Sequence, residues 1–479
     1  MAHEPITEAV RAPRRPAPRA LERRARDRVI VIGAGIAGIA AARRLTERGF
    51  PVTVLEARDE IGGRIRTLHG FAAHPIELGG AWLSPGDPIL REVFRPRWAS
   101  GQLRDDWESL VVTPGPRGGY RRMPVGIETK LWNQVRWRLA RLAREPASSR
   151  RTVAEALALD ALPATLRHKF LAEFVADTGV MPHEFGAYAF GLSGDPALPW
   201  TVARRGARRI VDELAQGLHI SLRSVVSRIA YDAHGAVVEL SSGAAVRGRY
   251  VVVTVPLGVL QSPAGSIGSI EFAPELCAAK RQALAALRMG TFNKLVLRFK
   301  RPFWKDGWSF LEILDAPPDG PLVLVNASRG RDRAELQRGA CLIVELIGEL
   351  GRRLTPHPAD LTAQRALVAH VLDRLMRIYG RRRVEAALLD GNEQSFYLWD
   401  WSCDPFSRGC YSAVPPGCLH HLAALRRPEQ GTVFFAGEAL GVRVQDELHL
   451  ATITAAYASG VSVANRIGRT RPTKKGDLR

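Results

Sequence analysis

Gly33, Gly35 and Gly38 stand at G-x-G-x-x-G spacing directly behind the apolar run Val29 to Ile32. Backbone at such a turn can cradle a pyrophosphate. Gly33 allows the tight turn, Gly35 the close approach of phosphate, and Gly38 close packing of helix on strand. A helix starting here turns its positive end toward the anion. Glu56 follows Gly38 by 18 residues and offers a carboxylate to ribose hydroxyls. Gly62-Gly63-Arg64 comes next: two small residues let the chain close over a cofactor, and Arg64 can reach a phosphate. Positioning these groups requires a buried strand at Val29 to Ile32, a crossover helix from Ala37 to Arg48 and a second strand at Val52 to Leu55.

Composition narrows the rest. The chain has 479 residues, 46 % of them hydrophobic and 24 % charged, which suits two domains with their own cores. Its net charge of +20 comes mostly from Arg, which is spread with Ala along the whole chain, as a GC-rich bacterial genome would produce. No basic block is interleaved with aromatics, so nucleic acid is not the expected partner. Five scattered cysteines form no disulfide framework and, with His420 and His421, fit no zinc spacing; no metal is expected, and a reducing cytoplasm is. The Arg-rich start before Val29 imitates an export signal, but its apolar part is the cofactor strand and helix. No run of 18 apolar residues predicts a membrane span.

Along the chain, residues 1–26 read as a disordered basic tail. Helices are expected at Lys130 to Arg144, Arg151 to Ala158, Pro163 to Asp177, Gly206 to Ala215, Leu361 to Arg377 and Ala451 to Ile467. Ile220 to Glu239 reads as a hairpin, and Tyr250 to Val255, Gly290 to Phe299, Cys341 to Ile347 and Thr432 to Ala436 as strands. On the alternating strand Gly290 to Phe299, Phe292, Lys294, Val296 and Arg298 share a face. A cation among apolar neighbours there is costly unless exposed or used. Tyr188, Phe190 and Trp200 are candidate pocket aromatics, although single aromatics are more often core.

These motifs together resemble the flavin amine oxidase family, which includes monoamine and polyamine oxidases, L-amino acid oxidases and histone demethylase relatives. The resemblance runs from Arg28 to Arg469. It implies an α/β fold with a Rossmann-like FAD-binding domain built from discontinuous segments, 27–95, 205–290 and 392–470. A mixed α+β substrate domain takes residues 96–204 and 291–391, and a polar tail residues 471–479. The first segment would contact FAD through Gly33, Gly35, Ile36, Ala37, Gly38, Glu56, Ala57, Arg58, Gly62, Gly63 and Arg64. Gly79, Gly80, Ala81, Trp82 and Leu83 match a second contact segment, and Val226 the strand over the adenine. Thr254, Val255 and Pro256 match residues near the flavin, as do Trp401, Cys410, Gly437 and Glu438. The first N–H groups of the last helix, at Thr452 and Ile453, would face flavin N1 and O2 and favour negative charge there. Lys294 matches the lysine that holds a water against flavin N5, and Tyr411 one aromatic wall beside the substrate amine.

Two positions depart from the commoner pattern. Cys410 precedes Tyr411, as in relatives where that cysteine forms a thioether to the flavin 8α-methyl; a small buried thiol beside a non-covalent flavin is equally open. Thr452 stands where monoamine oxidases carry the second aromatic wall. The longer loop 439–450 brings Asp446, Glu447 and His449, expected to be solvated. The implied activity is FAD-dependent oxidation of an amine with O2 as acceptor, without membrane attachment and with room for a homodimer. An L-amino acid oxidase or a desaturase is the alternative within flavoenzymes, since a net charge of +20 slows cationic substrates. Outside them stands a flavin-stabilised interaction or nucleic-acid-associated protein without turnover.

Overall fold

The computed structural model describes residues 27–83, 103–104, 108–115, 118–142, 150–192, 201–203, 206–304, 307–315, 320–390, 394–444 and 447–470. The tails expected at 1–26 and 471–479, Trp200 and Asp446 lie outside them; of Glu447 only the backbone is described.

A five-stranded parallel sheet carries the cofactor motifs, in the order Ile220–Ser221, Val52–Leu55, Val29–Ile32, Tyr250–Val253, Val433–Phe435. Val29–Ile32 is central and buried throughout, which its β-branched run requires of a strand covered on both faces. The strands come from three distant stretches of chain, so the domain is discontinuous. Helix Ile36–Glu47 and helix Ile453–Gly468 cover one face together through Ala-rich surfaces.

The expected hairpin from Ile220 to Glu239 is corrected. Ile220–Ser221 pairs in parallel with Val54 and Leu55, inside the cofactor sheet. The hairpin proper is Val226–Tyr231 with Ala236–Leu240, in a separate four-stranded sheet. Between them Arg223 takes a positive φ of 52°, so the alternating pattern hides a sharp turn.

The substrate domain is a seven-stranded sheet in the order Phe396–Trp399, Phe292–Phe299, Ala340–Ile347, Pro321–Asn326, Phe310–Leu314, Ser109–Pro114, Tyr120–Arg122. Phe396–Trp399 therefore extends this sheet, and the third cofactor segment starts nearer Trp401 than residue 392. Side-chain alternation divides the two faces. Leu295, Leu297, Leu342, Val344, Leu322, Leu324, Leu311 and Ile313 pack with Leu367, Val371 and Leu375 of helix Leu361–Tyr379. Lys294, Glu345, Val323 and Glu312 occupy the opposite face, in register across four strands.

Lys280 shows how the layers are tied. Its side chain is wholly buried and donates to the carbonyls of Ala424, Leu425 and Arg427 at 3.0, 2.8 and 2.7 Å. It thereby closes the end of helix His421–Arg426, with its ammonium 4.1 Å from the centre of the Phe435 ring. Lys280→Met keeps the volume but takes the donor from three carbonyls, that of Leu425 buried and those of Ala424 and Arg427 half-buried. Denaturant unfolding should show a loss of about 3 kcal/mol; an unchanged midpoint would contradict this role.

Candidate active site

A cavity of about 950 Å³ runs between the two sheets, from the Gly33–Gly35 turn to the face that carries Lys294. Of the residues expected at a cofactor, it is lined by Gly33, Gly35, Ile36, Ala37, Glu56, Ala57, Arg58, Gly62, Gly63, Arg64, Gly79, Gly80, Ala81, Trp82, Val226, Thr254, Val255, Pro256, Trp401, Cys410, Gly437, Glu438, Thr452 and Ile453. Two are not in the wall. Leu83 is buried in the core beneath it. Gly38 lies behind the turn, where a Cβ would fall 1.9 Å from the Gly33 carbonyl oxygen, so its part is close packing of helix on strand.

The cofactor half is fixed by bonds between segments. Glu56 accepts from the N–H of Ala34 at 2.6 Å and of Arg58 at 2.9 Å, so its carboxylate is anchored at the turn. Arg58 pairs with Asp404 and donates to Ser407 Oγ at 3.0 Å. Arg64 was expected to reach a phosphate. It lines the cavity, and its Nη1 donates to Glu438 at 2.7 Å and to the Cys410 carbonyl at 2.8 Å, joining the first segment to the third. Glu438 in turn accepts from the N–H and hydroxyl of Ser412 at 3.2 and 2.6 Å. Gly79 lets two backbones pack closely: a Cβ there would stand 1.8 Å from the Arg64 carbonyl oxygen.

At the junction of the two domains, Lys294 is 6 % exposed and donates to the carbonyls of Glu77 at 3.0 Å and Gly79 at 3.4 Å. Burial pulls its ammonium pKa down, while Glu345 and Glu77 pull it up. Asn293, which the sequence did not single out, accepts from the Trp401 N–H at 2.9 Å, while Trp401 Nε1 donates to the Leu78 carbonyl at 2.9 Å. Tyr411 donates to the Ala176 carbonyl at 2.6 Å and meets Phe292 edge-on at 6.2 Å, so its ring is held as a wall. Thr452 lines the cavity, but its hydroxyl accepts from the Ala455 N–H at 3.0 Å. It is the cap of helix Ile453–Gly468 and so fixes that helix N-terminus. The Cys410 thiol is buried, and its pKa is pushed well above the usual range by that burial.

The substrate half holds a group that sequence reasoning missed. Glu173, Asp177, Glu312 and Glu345 all line the cavity. Glu345 is the cross-strand partner of Lys294. Burial pushes the Glu345 and Asp177 carboxyls up to about 7; at Glu345 the Lys294 ammonium opposes the shift. Asp177 is solvent-accessible and lines the cavity, with Glu173 one helical turn away. Phe190 and His449 also face the cavity; Tyr188 does not. Among the described residues, no group of three or more His, Cys, Asp or Glu could hold a metal, and no helix is long and apolar enough to cross a membrane.

Residues 36–103 and 146–468 match the family of flavin containing amine oxidoreductases. The chain belongs to that family. This flavin amine oxidoreductase is 28 % identical over 476 residues to the probable polyamine oxidase 4 of Arabidopsis thaliana, covering 92 % of this chain and 87 % of the plant protein. It is 27 % identical to polyamine oxidase 4 of Oryza sativa subsp. japonica, covering 94 % and 90 %. Among solved structures, putrescine oxidase bound to putrescine superposes with a TM-score of 0.73 at 20 % identity, covering 93 % of this chain and 99 % of that one. Cyclohexylamine oxidase from Brevibacterium oxydans IH-35A gives 0.73 at 23 % identity, covering 93 % and 99 %. The family requires a flavin, FAD, and the glycine-lined turn, the anchored Glu56 and the cavity that runs from them fit one. The protein is an FAD-dependent oxidoreductase acting on amines.

Proposed function

We propose that the substrate is an amine with a second positively charged nitrogen, of the diamine or polyamine type. One observation carries this: the substrate half of the cavity presents carboxylates from helix Ala164–Thr178 on one side and from the seven-stranded sheet on the other. Besides Lys294, the arginines and lysines in the described lining are Arg58 and Arg64, and both are paired with carboxylates of the third segment. A substrate carboxylate would meet like charge there, so the amino acid oxidase alternative is not favoured. The local field opposes the net charge of +20, and the local field acts on the bound molecule. The polyamine oxidases among the relatives agree.

Bound FAD supplies acceptance of a hydride from the carbon beside the amine nitrogen and delivery of both electrons to O2, leaving H2O2 and an imine that water hydrolyses. The chain's own part is to hold the reacting amine against Tyr411, to place the distal ammonium between Asp177 and Glu345, and to keep Lys294 at the junction. Anaerobic bleaching of the flavin should be fast with linear diamines and slow with monoamines of equal length and with amino acids. Equal rates across that panel would refute the proposal.

The cofactor is held without a covalent bond. A thiol kept protonated by apolar surroundings is a poor nucleophile, and the neighbouring Arg64 is neutralised by Glu438. Acid precipitation should leave the yellow colour in the supernatant; colour in the pellet would mean a link at Cys410.

A further inference from the structure

We propose that Lys169 limits the length of substrate the cavity takes, because its ammonium fills a seat that a third substrate nitrogen would otherwise occupy. This rests on the reading that the substrate carries more than one cationic nitrogen.

Lys169 is wholly buried. Its Nζ donates to both oxygens of Glu312, at 2.8 and 2.7 Å, and to Glu173. Both carboxylates are in the cavity wall and Lys169 is not, so the ammonium sits just behind that wall. Lys169, Glu173 and Asp177 recur every four residues on helix Ala164–Thr178 and so share a face, while Glu312 comes from the facing strand Phe310–Leu314. A buried ammonium needs such partners. Burial pushes the Glu173 carboxyl up to about 8 against the pull of Lys169. A lysine side chain ends as a polyamine does, in a primary ammonium on a methylene chain. The seat is therefore already a polyamine-nitrogen site, filled from within. With Glu173 and Glu312 so engaged, Asp177 and Glu345 remain for the substrate.

The wild-type holoenzyme should reduce its flavin at least tenfold more efficiently with 1,4-diaminobutane than with its N-(3-aminopropyl) triamine. Lys169→Ala should raise the triamine-to-diamine ratio of kcat/KM at least tenfold, and Lys169→Met, which refills the volume without charge, should not. A readout independent of turnover is thermal stability with added n-butylammonium, which should raise the Tm of Lys169→Ala and leave wild type and Lys169→Met unmoved. A wild-type enzyme that uses the triamine as well as the diamine overturns the proposal without any variant. So does a Lys169→Ala enzyme with normal flavin content, an unchanged ratio and no response to butylammonium, because a merely structural ion pair would give that result. If wild type oxidises neither amine, the substrate reading fails, while a butylammonium response confined to Lys169→Ala still supports the seat.

Discussion

Lys294→Met should keep its flavin and its fold but turn over about a hundredfold more slowly, within the range that a positioned proton-handling group contributes. Methionine matches lysine closely in volume, so the strand Phe292–Phe299 is not expected to repack. What is lost is the cation. The carbonyls of Glu77 and Gly79 lose their donor, and Glu345 loses the ammonium opposite it in the ladder. The site then carries uncompensated negative charge at the junction of the domains. Stopped-flow measurement separates the half-reactions. The expected deficit falls on reoxidation by O2, and turnover within a few-fold of wild type would remove Lys294 from the reaction.

The second large effect is expected at the two carboxylates that Lys169 does not engage, Asp177 and Glu345. Glu345→Gln or Asp177→Asn should lower kcat/KM for a diamine by about a hundredfold, the scale of one buried charge-assisted hydrogen bond, while a monoamine changes only a few-fold. Because burial holds both carboxyls near 7, a dication should be captured better as pH rises from 6 to 8. The same shifts act on folding with a fixed sign. The native pKa values lie above the unfolded values of about 4, so the ligand-free native state binds more protons in that window. The stability these two groups contribute is greatest below about 4 and is lost as pH rises through about 7. Replacing both carboxylates should flatten that slope in Tm against pH. A slope unchanged in the double variant would mean that these groups do not titrate as described.

The cofactor half was legible because its signals are local. Glycine spacing, a β-branched strand and an acid at a fixed offset all act within one unit, and only Leu83 and Gly38 fall outside the wall they were assigned to. The substrate half was not, for a physical reason. Lys169 and Glu173 look like an exposed i, i+4 pair on a helix surface until the sheet covers that face. Glu345 sits inside the run Cys341 to Ile347, read as an apolar strand, and Glu312 in strand Phe310–Leu314, for which the sequence reading made no assignment. A charge at an inward position of a buried strand was the available signal. Lys294 drew attention on that ground, and Glu345 merited the same. The hairpin boundary failed at Arg223, whose left-handed backbone no alternation rule reveals.

The strand order has a consequence for biosynthesis. The cofactor sheet is completed by Val433–Phe435, and the wall of its cleft by residues up to Ala456. A nascent chain still on the ribosome therefore has its glycine turn made early but no complete cleft wall until Ala456 has been added. Loading with FAD thus waits for helix Ile453–Gly468, and a chain cut before it keeps an open, ligand-poor cleft.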